Sequence, residues 1–417
     1  MREMKDSNVE WVGMMPASWG KAKFNAIYNN RNVKVSDRDF RPLSVTKKGV
    51  VPQLDTAAKT NDGDNRKLVK AGDFVINSRS DRRGSCGISS LYGSVSLINT
   101  VLEPKDDKTD PRFFGFLFHT VQFADEFYKW GHGIVDDLWT TNWNDMKNII
   151  LILPPKWEQK RIADFLDKKC GQIDKLLTQI NDEIEQLKVY RNSLIAEAVT
   201  KGLDSNVSMK DSGIEWVGSI PEYWKVVPVY KLFNERKNKN IAGREQNLLS
   251  LSYGKVKQRD INAKGGLLPA NFNTYNIVED GDIIIRPTDL QNDQHSLRTG
   301  LVKEHGIITS AYIDLAPLPN TNSAYYHYLL HSYDIEKVFY NMGNGVRQGL
   351  NYSEFSKLKV LVPSDREMSN IVNYLDQKNS KLDSLVEKKQ QQLNLLKEYK
   401  NSLIYEYVTG KKQVPMM

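Results

Sequence analysis

The sequence predicts an α+β protein: two globular domains, each followed by a long helix, with the helices folded back as an antiparallel coiled coil that gives pseudo-twofold symmetry. Three observations carry this. "DSNVEWVGMMPASWG" from Asp6 returns as "DSGIEWVGSIPEYWK" from Asp211, so Trp11 and Trp216, Pro16 and Pro221, and Trp19 and Trp224 each lie 205 positions apart. "LKVYRNSLIAEAVT" from Leu187 returns as "LKEYKNSLIYEYVT" from Leu396, an offset of 209. Apolar residues ahead of and within each closing segment fall at heptad spacing. Two long copies in 417 residues point to a duplicated domain pair rather than a solenoid. The predicted segments are 1–153, 154–202, 203–362 and 363–417.

Each element follows from its residues. After the opening motif, residues 20–153 and 225–362 read as mixed α and β. Apolar runs "FVIN", "IILIL", "DIIIRP" and "LKVLVP" are strands punctuated by glycine and proline. "PRFFGFLFHTVQFADEFYKW" and "SAYYHYLLHSYDIEKVFYNM" are aromatic-rich helices, whose rings are expected to pack the cores, with base stacking as the alternative. Downstream of Pro154 and Pro155, Ile173, Ile180, Leu187 and Leu194 recur by sevens, with Ile162, Phe165, Leu166, Leu176, Leu177, Ile184 and Ile195 between and around them. That is a coiled-coil seam. Leu382, Leu385, Val386, Leu393, Leu396, Tyr399, Leu403 and Ile404 repeat it, and Lys389 stands where Ile180 stood, a polar seam residue able to fix register. The second domain starts at the far end of the first helix, so burying both seams requires the second helix to run back. A helix of about 30 residues spans about 45 Å, which sets the separation of the two domains.

Composition narrows the class. No window approaches the ~20 uncharged apolar residues of a membrane span, and no signal-peptide pattern opens the chain, so the cytoplasm is the expected location. Cys86 and Cys170, far apart, support neither a disulfide framework nor a cysteine zinc site. A net charge of +7 suggests a polyanionic partner.

After "AGD" and "DGD", each copy makes a strand and then a polar stretch, "INSRSDRRGS" and "IRPTDLQNDQHSLRTG". Arg, Asn, Gln, Asp and Ser can make directed hydrogen bonds to base edges and phosphates. The stretches differ between copies, as two readers of different sequences would; two ordinary solvated loops is the alternative. The expected DNA contacts are Ser78, Arg79, Arg82 and Arg83 in the first domain, and Arg286, Asp289, Gln291, Asn292, Arg298 and Arg347 in the second. The arginines suit guanine edges or phosphates and the amides suit adenine; Lys47, Lys48 and Lys255 suit phosphates. The Gly-x-Gly of "GHGIV" and "GNGVR" reads as a turn. No P-loop and no adenine-methylating Asn/Asp-Pro-Pro-Tyr/Phe sequence occurs, "EPKDDK" reads as a solvated charge run, and the six histidines lack metal-ligand spacing. The pattern is one of recognition rather than reaction. A free-standing nuclease and a purely structural coiled-coil scaffold remain rivals.

The order of globular domain, long helix, globular domain, long helix resembles the specificity subunit of type I restriction-modification enzymes. The likeness rests on "EWVG…P..W" twice, "PPKWEQKRIADFLD", "RNSLIAEAVTKG" with "KNSLIYEYVTGK", and the "GD" strand of each domain. "PSDREMSNIVNYLD" keeps Glu367 but has Met368 where the first copy has Gln159. The resemblance implies a non-catalytic subunit whose two target-recognition domains each read half of a split, asymmetric site in double-stranded DNA. It also implies two docked adenine-N6 methyltransferase subunits and ATP-driven motor-nuclease subunits, with S-adenosylmethionine, ATP and magnesium belonging to those partners and no cofactor in this chain.

Overall fold

The computed structural model describes residues 2–55, 63–133, 139–263, 268–269, 271–288, 290, 297–342 and 349–415. It divides into two compact units, Met1–Asn181 with Gln390–Met417, and Asp182–Lys389.

In the first unit a four-stranded antiparallel sheet runs in the order Cys86–Ile88, Phe74–Asn77, Asn99–Pro104, Tyr28–Asn30. Strand side chains alternate between faces. Phe74 and Ile76 enter a large core against the helices, whereas Val75 enters a smaller one with Leu43, Val50, Val69, Val95 and Val101. Burial on both faces explains why "FVIN" reads as a continuous apolar run. The second unit repeats the pattern in the order Phe233–Glu235, Ile313–Pro317, Ile283–Ile285, Thr299–Leu301. There Ile283 and Ile285 face the helices and Ile284 faces the small core of Leu249, Val278, Val302 and Ile308.

The Gly-Asp pair before each central strand has a structural task. Asp73 accepts the Lys70 amide at 2.8 Å and takes Arg31 through Nε at 2.8 Å and Nη2 at 3.1 Å. Asp282 does the same with the Glu279 amide and Arg236, at the same distances. One carboxylate thus closes the turn and ties it to the residue that follows the outer strand, across the strand between them.

The aromatic segments are core helices, Pro111–Phe118, Val121–Lys129 and Ser323–Ile335. The first stretch breaks in two because Thr120 accepts the Phe123 amide and caps a new helix. Phe74, Phe113, Phe114, Phe118, Phe123 and Phe127 are wholly buried, with Phe74 and Phe118 rings 4.1 Å apart. The role of these rings is packing.

The long helices are Lys156–Lys201 and Asp365–Val408, 46 and 44 residues. They exceed the expected ~30 because their first turns, ahead of the seam, are also helical and pack Ile162, Ala163 and Leu166, or Met368, Ile371 and Leu375, into a domain core. The figure of about 45 Å is therefore not the length of either helix. Within each unit their segments run antiparallel. In the first unit Phe165 packs against Tyr407 with ring centroids 4.5 Å apart, and Asp174 accepts Lys400 at 2.6 Å. In the second unit Lys389 pairs with Glu183, and Arg191 with Asp383. Lys389 thus finds an anion on the facing helix, which favours one register over its neighbours. Leu176, Leu385 and Tyr399, expected on the seam, are exposed; the buried stripe is narrower than the apolar pattern.

The repeated opening motif receives a helix end in both units. In the first, Tyr405 donates to the Trp11 carbonyl at 3.1 Å, and Gly410 lies against Pro16 and Trp19. In the second, Gly202 lies against Trp224 and Pro221. Both glycines are left-handed, with φ of 74° and 77°, and end their helices where a side chain would be strained. A Cβ at Gly410 would stand 2.4 Å from Pro16 Cδ, whereas at Gly202 the nearest atom is Glu367 Oε1 at 3.0 Å. Gly410→Ala is expected to destabilise by roughly 1–3 kcal/mol, more than Gly202→Ala, as read by denaturant unfolding of the full chain.

Candidate nucleic-acid interface

In the first unit the strand Phe74–Asn77 leaves the sheet into residues 78–85, which contain the short turn Ser80–Arg82, and the chain returns on Cys86–Ile88. The loop base is fastened. The Asn77 amide donates to the Ser85 carbonyl at 2.9 Å, and Tyr128 Oη donates to the carbonyls of Asn77 and Arg79. Ser78 is buried: its hydroxyl meets Thr100 Oγ1 at 3.1 Å, and its carbonyl accepts the Thr141 amide. Its side chain is therefore turned into the fold, where it supports the loop. Arg79, Arg82 and Arg83 are exposed. Arg83 pairs with Asp125 and lies 5.8 Å from the Tyr128 ring, and Arg82 pairs with adjacent Asp81 at 3.4 Å. Exposed pairs of this kind are weak, so a phosphate can replace the carboxylate at small cost.

A second strip flanks the arginines. The backbone of Arg79 bridges Thr140, which also bridges His132. A Cβ on Gly131 would meet Trp139 Nε1 at 2.5 Å, so this strip packs too tightly for a side chain there. The first Gly-x-Gly element, Gly131–Gly133, is described, whereas the second, at residues 343–345, lies outside the described residues. Lys47 and Lys48 are exposed in the turn of the hairpin Leu43–Thr46 and Gly49–Pro52. That hairpin lies on the loop's return strand, where a Cβ on Gly87 would stand 2.7 Å from Gly49 Cα. The structure thus brings Lys47, Lys48, Arg79, Arg82 and Arg83 onto elements that touch one another.

The second unit builds the same frame with different fittings. Arg298 is fully buried. Its Nη1 donates to the Thr288 carbonyl at 2.7 Å and the Arg286 carbonyl at 3.3 Å, its Nε donates to Tyr340 Oη at 3.2 Å, and its backbone amide donates to Asp334. It ties residue 298 to the carbonyls of Arg286 and Thr288, so its guanidinium is buried in the fold and not presented at the surface. Arg298→Ala would remove the buried side-chain donor that holds the Thr288 and Arg286 carbonyls while keeping the amide to Asp334, and a loss of about 3–5 kcal/mol is expected in denaturant unfolding. Arg286 is half-buried, with its amide on the Arg298 carbonyl at 2.8 Å. Asp289, Gln291, Asn292 and Arg347 lie outside the described residues. Lys255 is exposed on the hairpin Leu249–Ser252 and Lys255–Gln258, which sits against Gly300 as its counterpart sits against Gly87.

Sequence reasoning passed over several residues that shape this surface. Lys257 and Arg259 follow Lys255 at alternate positions and are exposed with it; the pattern "KVKQR" carried that signal. Tyr253 occupies the hairpin turn where the first copy has Lys47 and Lys48, which alignment of the two copies would have exposed. Among the described residues, no group of three or more His, Cys, Asp or Glu is placed to hold a metal ion, and no helix is long and apolar enough to cross a membrane.

Residues 32–186 match the family of the type I restriction modification DNA specificity domain. The chain is 27% identical over 333 residues, 78% of its own length and 72% of the other's, to a Methanocaldococcus jannaschii protein named as type I restriction enzyme MjaX specificity subunit. In fold it is similar to a chain from a study of the complex assembly and conformational transition of the type I R-M system, with a TM-score of 0.70 at 13% identity over 95% of this chain and 99% of that one. The HsdS subunit from Thermoanaerobacter tengcongensis gives a TM-score of 0.51 at 14% identity over 98% and 100% of the two chains. Residues 32–186 are therefore similar to a type I restriction modification DNA specificity domain. Over 78% of its length the chain is similar to the Methanocaldococcus jannaschii specificity subunit.

Proposed function

We propose that this chain is the DNA-recognition subunit of a type I restriction-modification system and has no catalytic site of its own. Each globular domain reads one half of a bipartite, asymmetric site in double-stranded DNA. The long helices dock two adenine-N6 methyltransferase subunits, and motor-nuclease subunits join through the complex. S-adenosylmethionine, ATP and magnesium are used by those partners, and the assembly works in the cytoplasm.

The observation that supports this reading is one frame built twice with different exposed fittings. The same Arg–Asp pair, central strand and hairpin recur, yet the strand exits into "SRSDRRGS" in one copy and "RPTDLQNDQHSLR" in the other. A shared frame with divergent exits suits two readers of unlike half-sites. The test is to produce the chain with its cognate methyltransferase and map N6-methyladenine in exposed DNA. Exchanging residues 20–153 for those of a relative is expected to change one half of the methylated motif and leave the other intact. Both halves changing together would refute independent reading.

A further inference from the structure

The hairpin Leu249–Ser252 and Lys255–Gln258 turns through Tyr253 and Gly254, with φ of 49° and 74°. Two consecutive left-handed residues are the backbone of a type I′ turn, whose first position favours Asn, Asp or Gly. A bulky aromatic there is a conformational outlier. Its strain is not offset by packing, because Tyr253 is 89% exposed, the most exposed large hydrophobic side chain among the described residues. Strain held without a folding benefit is characteristic of functional positions.

The tip is also firmly placed. Gly254 lies against Leu297 and His331, so that a Cβ there would stand 3.1 Å from Leu297 Cδ1. On the other side Leu251 and Val256 close over Gly300, leaving no room for a side chain. Leu297 ends the polar stretch that follows the central strand, so the Tyr253–Gly254 turn packs against the closing end of that stretch. Behind it, Val256 turns inward while Lys255, Lys257 and Arg259 are exposed. Alternate residues of a strand repeat about every 6.8 Å, twice the ~3.4 Å axial rise per phosphate of one DNA strand. The matching hairpin of the first unit continues "GVVP" after its turn and has no such row.

We infer that this hairpin is a DNA-reading element of the second domain, with Tyr253 entering a groove against base and sugar atoms while Lys255, Lys257 and Arg259 hold phosphates of one strand. It rests on the DNA-recognition reading above and adds a specificity-determining residue to it. The first domain presents Lys47 and Lys48 at the same place, so its tip contributes charge where the second contributes an aromatic face. The two half-sites are consequently read by different chemistry at equivalent points.

The test uses the full chain with its cognate methyltransferase and fragmented genomic DNA as probe, with sequencing of N6-methyladenine. Tyr253→Gly removes the ring and relieves the backbone, so its melting temperature is expected to equal or exceed the parent's. Its motif is expected to relax at one or two positions in one half only, with discrimination there falling about tenfold. An unchanged motif with unchanged discrimination overturns the role of Tyr253. The basic row is tested separately: Lys255→Ala, Lys257→Ala and Arg259→Ala together should weaken binding to every sequence alike and lower the salt slope by about 2.7, at ~0.9 per phosphate. An unchanged slope overturns the phosphate row. If the parent pair yields no defined motif at all, the recognition reading itself fails, and the inference falls with it.

Discussion

Asp314→Val is expected to stabilise the protein, by about 1–4 kcal/mol at pH ~8. The strand Ile313–Pro317 pairs Asp314 with Ile284, and in the first copy the same ladder pairs Val101 with Val75. A valine of the small core has thus become an aspartate. Its carboxyl group is buried, no donor meets either oxygen, and the nearest cation, Arg236, stands 3.9 Å away with its guanidinium already committed to Asp282. Burial, and then the neighbouring Asp282 carboxylate, push the Asp314 pKa up to about 8. The sign of the pH effect follows. Between about 4 and 8 the folded protein keeps a proton that the unfolded chain has released, so stability is highest at the acid end of that window and falls as pH rises through it. Unfolding of Asp314→Val in denaturant at pH values of about 5 and about 8 should lose this part of the slope, while the reciprocal Val101→Asp should acquire one. Equal slopes in parent and Asp314→Val would show that the group is ionised in the folded state.

Asp314 also shows what the sequence could and could not reveal. The strands "FVIN" and "DIIIRP" were legible from spacing within a short window, the repeat from self-similarity of the string, and the antiparallel return of the helices from chain connectivity. The fates of Ser78 and Arg298 were not. Both sit in stretches whose polarity matches a solvated loop, and what buries them comes from afar: Thr100 and Thr141 for Ser78, Asp334 and Tyr340 for Arg298. Arg79, Arg82 and Arg83 are exposed as expected, since even the distant partner of Arg83, Asp125, meets it at the surface. Leu385 and Tyr399 fit the heptad pattern yet face solvent, since a two-helix contact buries a narrower stripe than their apolar character suggests. Tyr253 carried no motif, and only comparison with Lys47 and Lys48 at the same turn gives it meaning.

Trp19→Ala and Trp224→Ala are each expected to cost about 3–5 kcal/mol, and the reason answers why the opening motif occurs twice. Both indoles are buried. Trp19 Nε1 donates to Glu158 at 2.8 Å, and Trp224 Nε1 donates to Glu367 at 3.0 Å. Each glutamate sits in the first turn of a long helix, where a negative charge is favoured by the helix dipole. The motif therefore orients the start of the helix that leaves its own domain, while its proline and indole receive the end of a helix through Gly410 or Gly202. Two helices need two such sockets. Replacing each indole by phenylalanine separates packing from the hydrogen bond, because it keeps most of the buried ring and removes the donor. Glu158 would retain Arg2, and Glu367 would retain Tyr223 at 3.0 Å, so Trp19→Phe and Trp224→Phe should each cost only about 1–3 kcal/mol. A double-mutant cycle of Trp19→Phe with Glu158→Gln, measured by denaturant unfolding, should show a coupling energy above the ~0.5 kcal/mol within which independent sites add. Strict additivity would mean that the indole acts by volume alone and that the helix start is held by something else.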